Sequence, residues 1–203
     1  VVAPCEREDG AAVATYDFIA RGPALLPDWQ GDAMRAGPRG LHWDNARSLP
    51  PGDIRDRDLP TLRWAAAVRA PAVLAAKIAM DSESALAVGF SDGGQAVRVL
   101  LVNRGASREP VRLLTVGDGG RVAVEGARGV RVPAMTPDRP VPVRVEVDAE
   151  GRVRLLVGET AIANEIPRLD PARPLTVVVQ TTGQTRAAIP WLQVRGLPPG
   201  NPP

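Results

Sequence analysis

Trp29, His42, Asp44 and Trp191 are the side chains whose type and position in this sequence best suit chemistry on a ligand. His42 is the only histidine and lies in Gly40-Leu41-His42-Trp43-Asp44-Asn45. Successive side chains of a strand point to opposite faces, so His42 and Asp44 share one face while Leu41 and Trp43 share the other. A His–Asp pair held this way can work as an oriented general base or make polar contacts to a pair of sugar hydroxyls. The same pattern also suits the wet face of an edge strand, with Asp44-Asn45 opening the next turn.

Trp29 lies in Pro27-Asp28-Trp29-Gln30-Gly31-Asp32. Sugars present apolar C–H faces, so a loop tryptophan flanked by Asp and Gln suits stacking combined with hydrogen bonding. The competing reading is a loop anchored by burying its one large side chain. In the last apolar stretch Leu192 and Val194 point inward, which puts Trp191 with Gln193 and Arg195 on the opposite face. Trp191 is then either an exposed platform or a residue covered by the loop after the first strand. Trp64 is in phase with Leu62, Ala66 and Val68 and reads as core. These assignments give Trp29, His42, Asp44 and Trp191 as candidate ligand-binding residues. In an enzyme, His42 or one of Asp28, Asp32 and Asp44 would be the acid or base. No paired nucleophile or carboxylate accompanies them, so no catalytic residue is assigned.

Composition removes several other chemistries. A single histidine and a single cysteine, Cys5, exclude a two-histidine metal site, a cysteine-based zinc site and a disulfide framework. No metal ligand or cofactor is expected. Cys5 reads as a free thiol in an N-terminal tail rather than a lipidated residue, because Pro4 suits the position before a lipidated cysteine poorly. Asp92-Gly93-Gly94 and Asp118-Gly119-Gly120 neither follow a strand into a helix nor cradle phosphate; both read as hairpin turns. The net charge of +2 comes from nearly balanced acids and bases, without a basic run interleaved with aromatics. Nucleic acid is therefore not an expected partner. No apolar stretch is long enough to span a bilayer. The chain starts without methionine, and export from the cytoplasm is the expectation carried forward.

The elements that must position these residues are strands. Proline (21) and glycine (20) are spread along the chain and punctuate short apolar segments. Such segments at intervals of about 8–12 residues signal an all-β sandwich or barrel. The expected strands are 12–19, 40–45, 61–69, 73–81, 85–91, 96–103, 110–116, 121–125, 129–133, 141–148, 152–157, 175–181 and 187–196. Residues 20–39 read as a long Gly/Pro-rich loop with room for one helical turn, and 46–58 as a second irregular piece. Val143, Val145 and Val147 alternate with Arg144, Glu146 and Asp148, and Asp148–Gly151 closes a hairpin. Glu146 and Asp148, ~7 Å apart on one strand face, read as surface charge. Leu175–Thr181 is apolar on both faces, as in a central strand. Residues 1–11 are expected to be a flexible tail, 12–197 one domain and 198–203 a Pro-rich tail.

The segments VPVRVEVDAEGRVRLLVGETAIA (141–163) and PLTVVVQTTGQTRAAIPWLQVRG (174–196) resemble the closing strands of concanavalin A-like and laminin-G-like jelly-roll sandwiches. The same ending occurs in 3-keto-disaccharide hydrolase-type domains of that superfamily. The resemblance spans about residues 61–197 and implies a two-sheet antiparallel jelly roll. Function is less constrained, because the superfold hosts lectins, glycan hydrolases, lyases and adhesion modules. Members that bind calcium at the sheet edge carry Asp in the closing strand, where this chain has Ala188-Ile189-Pro190-Trp191. The Glu-x-Asp-x-x-Glu motif of glucanase-type members is also missing. Three expectations follow, in order: a carbohydrate-binding or adhesion module, a carbohydrate-active enzyme, and a structural domain that binds protein.

Overall fold

The computed structural model of the chain describes residues 6–8, 10–21, 28–31, 34–45, 55–103, 109–132, 135–181 and 185–199. The strands in chain order are β1 (Glu6–Glu8), β2 (Ala11–Asp17), β3 (Trp29–Gly31), β4 (Met34–Gly37), β5 (Gly40–Asn45), β6 (Thr61–Trp64), β7 (Arg69–Met80) and β8 (Ser84–Ser91). They continue as β9 (Ala96–Asn103), β10 (Val111–Val116), β11 (Val122–Gly126), β12 (Val141–Val147), β13 (Val153–Val157), β14 (Thr160–Ala161), β15 (Thr176–Thr181) and β16 (Thr185–Leu197). One short helix, α1 (Phe18–Arg21), follows β2. Among the described residues no helix is long and apolar enough to cross a membrane.

Every strand pairing is antiparallel, and the strands form two sheets. One has nine strands, with β1-β2-β16-β7-β12-β13-β14 as its main path and the β4–β5 hairpin joined to β16. The other has seven, in the order β11-β10-β9-β8-β15-β6-β3. Their inner faces interdigitate. Leu74, Ile78 and Met80 of β7, Val145 of β12, and Leu192 and Val194 of β16 meet Leu86, Val88, Phe90, Val97, Val99, Leu101, Val177 and Val179 from the opposite sheet. Each fully buried large aliphatic side chain contributes roughly 1.5–3 kcal/mol of transfer free energy. A core with so few aromatics depends on many such contributions.

Several sequence expectations hold in detail. Val143, Val145 and Val147 are buried while Arg144 is exposed, and the Gly151 N–H donates to the Asp148 carbonyl to close the hairpin. Arg144 and Arg154 pair with Glu146, and Arg152 pairs with Asp148, so these acids are surface charge. β15 is buried on both faces from Val177 to Thr181. Both Asp-Gly-Gly segments connect neighbouring antiparallel strands, β8–β9 and β10–β11.

Three expectations need correction. The strand expected over 61–69 stops at Trp64, and β7 starts at Arg69 with Pro71 inside it. Pro71 is tolerated because the β7–β16 register shifts there: Gly196 faces Ala72 and Leu197 faces Arg69, so the missing N–H interrupts no regular ladder. Gly129–Pro133 was expected as a strand. Instead, Val130 and Val132 lean on the core without strand pairing, after a Gly129 turn at φ +80°. The loop expected over 20–39 contains β3 and β4; β4 turns into β5 through Pro38-Arg39, with Gly37 opposite Gly40.

At one end of the sandwich Tyr16, Phe18 and Trp29 form a buried aromatic group. The Tyr16 hydroxyl accepts the indole N–H of Trp64 at 2.6 Å and donates to Asp28 Oδ2 at 3.3 Å. Tyr16→Phe would deprive the buried Trp64 N–H of this acceptor. We expect a loss of about 1–3 kcal/mol, measurable as a lower urea midpoint with an unchanged slope.

Candidate functional site

β16 is the hub of the nine-stranded sheet. One of its edges pairs with β7, and the other is shared end to end by β5, against Thr185–Ile189, and β2, against Trp191–Gly196. Between those halves the register with β7 shifts across Ala188 to Trp191. Ala188 faces Ala79 and Trp191 faces Lys77, so two residues of β16, Ile189 and Pro190, stand opposite one of β7, Ile78, and form a bulge. Proline is suited to such a site because it has no N–H to donate. Bulges re-aim side chains, and here Trp191 lies on the outer face of the sheet, half-buried.

Its surroundings follow from the register. Trp191 is flanked across the strands by Asp17 of β2 and Lys77 of β7, both exposed. In the next row Gln193 lies between Thr15 and Ala75, and its Nε2 donates to Thr15 Oγ1 at 3.0 Å. Arg195 occupies the row beyond, between Val13 and Val73. Asp17 Oδ1 accepts the N–H of Ala20 and so caps α1. Among the described residues Lys77 and Arg195 form no ion pair and no hydrogen bond to another side chain, leaving two cations open on this face.

His42 joins the same face. It sits opposite Ala188 of β16 and Arg35 of β4, with its ring against Gly37. A Cβ added at Gly37 would come within 2.8 Å of the ring Cε1, so glycine is what leaves the imidazole room. From strand spacing, His42 and Trp191 lie about 8 Å apart at the backbone. Asp44 pairs with Arg186 in the backbone register, while its side chain lies outside the described residues. Asp32 lies wholly outside them.

Trp29 is elsewhere. It begins β3 at the edge of the seven-stranded sheet, opposite Trp64, and only 6% of it is exposed. Tyr16 meets its ring edge-on at 5.6 Å, so Trp29 anchors the chain in the core and offers no ring face to a ligand. Asp28 is buried beside it. The structure therefore brings together His42 and Trp191 and separates Trp29 from both.

The outer face of the seven-stranded sheet is of a different kind. Ala85, Ala87, Ala96, Leu100, Leu114 and Val116 form a second buried apolar cluster there. At its centre lies Arg98 of β9, fully buried. Arg98 reaches across β8 to β15, passing the level of Gly89 and Ala87, two of the smallest side chains available. Its Nη1 donates to Gln180 Oε1 and, at 2.9 Å, to Asp56 Oδ1; Gln180 Nε2 donates to the same Asp56 oxygen at 2.6 Å. Burial pushes the Asp56 carboxyl up, but the charge and hydrogen bonds of Arg98, the Gln180 amide and the Arg63 charge outweigh it and hold the group below its usual 3.8. Burial in turn pulls Arg98 below its ordinary value, against the opposing pull of Asp56. Asp56 belongs to a single 3-10 turn, Asp56–Asp58, and Arg55 beside it donates to the Gly119 carbonyl at 2.9 Å. These residues form a strap fastened over the sheet.

No family model matches the chain, and no curated protein matches it in sequence. Solved structures do match in shape. The Crh5 transglycosylase in complex with NAG superposes with a TM-score of 0.61 at 14% identity, covering 100% of this chain and 92% of that one. The Emp47p carbohydrate recognition domain gives 0.56 at 9%, covering 93% and 95%. β-Agarase A from Zobellia galactanivorans gives 0.57 at 8%, covering 97% and 96%.

The chain has the concanavalin A-like jelly-roll fold. At these identities the likeness establishes the architecture and leaves the activity to this chain's own residues. In this concanavalin A-like sandwich the two outer faces have different characters. One presents Trp191 among polar side chains, and the other is apolar, strapped and centred on a buried ion pair. Sequence reasoning missed Asp17 and Lys77 beside Trp191, since only strand register brings them there. It also missed Arg98: alternation marks Arg98 as a wet-face residue, and its cover comes from Asp56, far away in the sequence.

Proposed function

We propose that the chain is a non-catalytic glycan-binding module whose contact surface is the outer face of the nine-stranded sheet. Trp191 supplies the stacking platform; Asp17, Lys77, Gln193 and His42 supply hydrogen bonds to hydroxyls. The observation that carries this reading is the bulge at Ile189-Pro190, after which a large aromatic, Trp191, faces outward in a row between an exposed carboxylate and an exposed ammonium. A half-open aromatic ringed by donors and acceptors is the composition of binding hot spots. The carbohydrate recognition domain and the NAG-bound transglycosylase among the matching structures support glycan as the ligand class.

A polysaccharide pull-down followed by a glycan array tests the reading. Trp191→Ala should weaken capture at least about 30-fold, a loss of roughly 2 kcal/mol on the hot-spot scale. His42→Ala should weaken it less. Equal capture by wild type and Trp191→Ala would remove this face as the site. Release of reducing ends from a bound polysaccharide, abolished by His42→Ala with binding intact, would replace the module by an enzyme.

A further inference from the structure

We infer that the open edge of the sandwich beside β11 holds a second site, built for a single neutral saccharide unit and independent of Trp191. A cleft of about 440 Å³ opens there between β10–β11 and residues 164–167. That volume falls within the range of about 300–1,000 Å³ typical of small-molecule sites. Its floor is apolar: Leu113 of β10 is buried, and Ile166 packs half-buried against the core.

The polar wall is held in place by Asn164. Its Oδ1 accepts the Arg128 N–H at 2.7 Å, while its Nδ2 donates to the Gly126 carbonyl at 3.0 Å and to Glu125 Oε2 at 3.3 Å. A second bond, from the Ala163 N–H to the Arg128 carbonyl at 3.0 Å, ties the same two segments together. These bonds fix the wall without using its reactive ends. Glu125 keeps its other carboxylate oxygen, and among the described residues the Arg128 guanidinium and the Glu165 carboxylate form no ion pair or side-chain hydrogen bond. All three line the cleft.

This set of groups selects a chemical class. A pyranose offers C–H groups for Leu113 and Ile166 and hydroxyls that donate to Glu125 and Glu165 and accept from Arg128. Two carboxylates against one guanidinium leave the cleft with a net negative charge, which repels uronate or sulfated sugars by like-charge juxtaposition. The occupant is therefore a neutral sugar.

The test is a titration of ¹⁵N-labelled protein with glucose, galactose, N-acetylglucosamine and their β-linked disaccharides, with glucuronate and a lysine-rich peptide alongside. Saturable amide shifts at Gly126, Arg128 and Asn164 are expected with at least one neutral sugar. Glu165→Ala and Arg128→Ala, both exposed positions, should each weaken that response about tenfold. Trp191→Ala should leave it unchanged, so this site and the Trp191 platform stand or fall separately. No saturable shift at these amides with any neutral sugar would overturn the proposal. So would indifference to both substitutions, loss of the response in Trp191→Ala, or a stronger response to glucuronate or the peptide.

Discussion

Asp56→Ala is expected to destabilise the fold by about 3–5 kcal/mol, the cost of stripping a buried charge of its partner. Arg98 is fully buried, and its Nε and Nη2 have no hydrogen-bond partner among the described residues. Asp56 and Gln180 therefore carry its whole compensation, and Asp56 carries all of the charge. The ordinary loss for an exposed aspartate is under about 0.5 kcal/mol, so urea denaturation separates the two cases cleanly. Arg98→Met combined with Asp56→Ala should recover much of the loss, because neither charge then remains stranded. A double mutant no more stable than Asp56→Ala alone would show that the strap is held by something else.

The same pair sets an acid limit. The folded-state Asp56 carboxyl lies below its ordinary 3.8. A depressed carboxylate contributes stability that is fully present well above the unfolded value and is lost as pH falls through the folded one. Wild type should thus lose stability below about pH 4 more steeply than the Arg98→Met/Asp56→Ala double mutant. Parallel acid curves would count against the pair.

Gly89→Val carries the second large effect. Gly89 of β8 lies in register between Arg98 and Val178 at the middle of the seven-stranded sheet. A Cβ there would stand 2.0 Å from the Val97 carbonyl oxygen and 2.7 Å from the Arg98 Cα, both backbone atoms that cannot swing aside. Strands β8 and β9 would have to part, and the route of Arg98 toward Gln180 would narrow. We expect about 3 kcal/mol or more, the upper end of overpacking costs. Gly117→Ala is the control, since a Cβ at Gly117 meets nothing within 4 Å; its effect should stay within about 0.5 kcal/mol. If Gly89→Val matched that control, the close approach of β8 to β9 would be refuted.

How legible the molecule was depended on whether its causes are local. The β12–β13 hairpin and the doubly buried β15 could be read because period-two alternation and turn chemistry are written within a few residues. His42 and Trp191 could be assigned to an outward face for the same reason. β3 and β4 could not be read: three or four residues carry too little periodicity, and their pairing with β6 and β5 comes from sheet register. Trp29 looked like a loop aromatic because its partners, Tyr16 and Phe18, reach it only through tertiary packing. Arg98 was the least legible, since Asp56 and Gln180 approach it from 42 and 82 residues away.

The placement of β16 has a consequence for how the chain comes to be folded. β2 and β5, from the first quarter of the sequence, have only β1 and β4 to pair with until β16 arrives from the last tenth. As synthesis proceeds, both N-terminal hairpins must wait as open edges while the middle strands assemble. Such long-range closure is slow and leaves strand edges exposed to other chains. β16 is also the partner of β7, so a chain halted short of Thr185 leaves three strands, β2, β5 and β7, each with an unmatched edge.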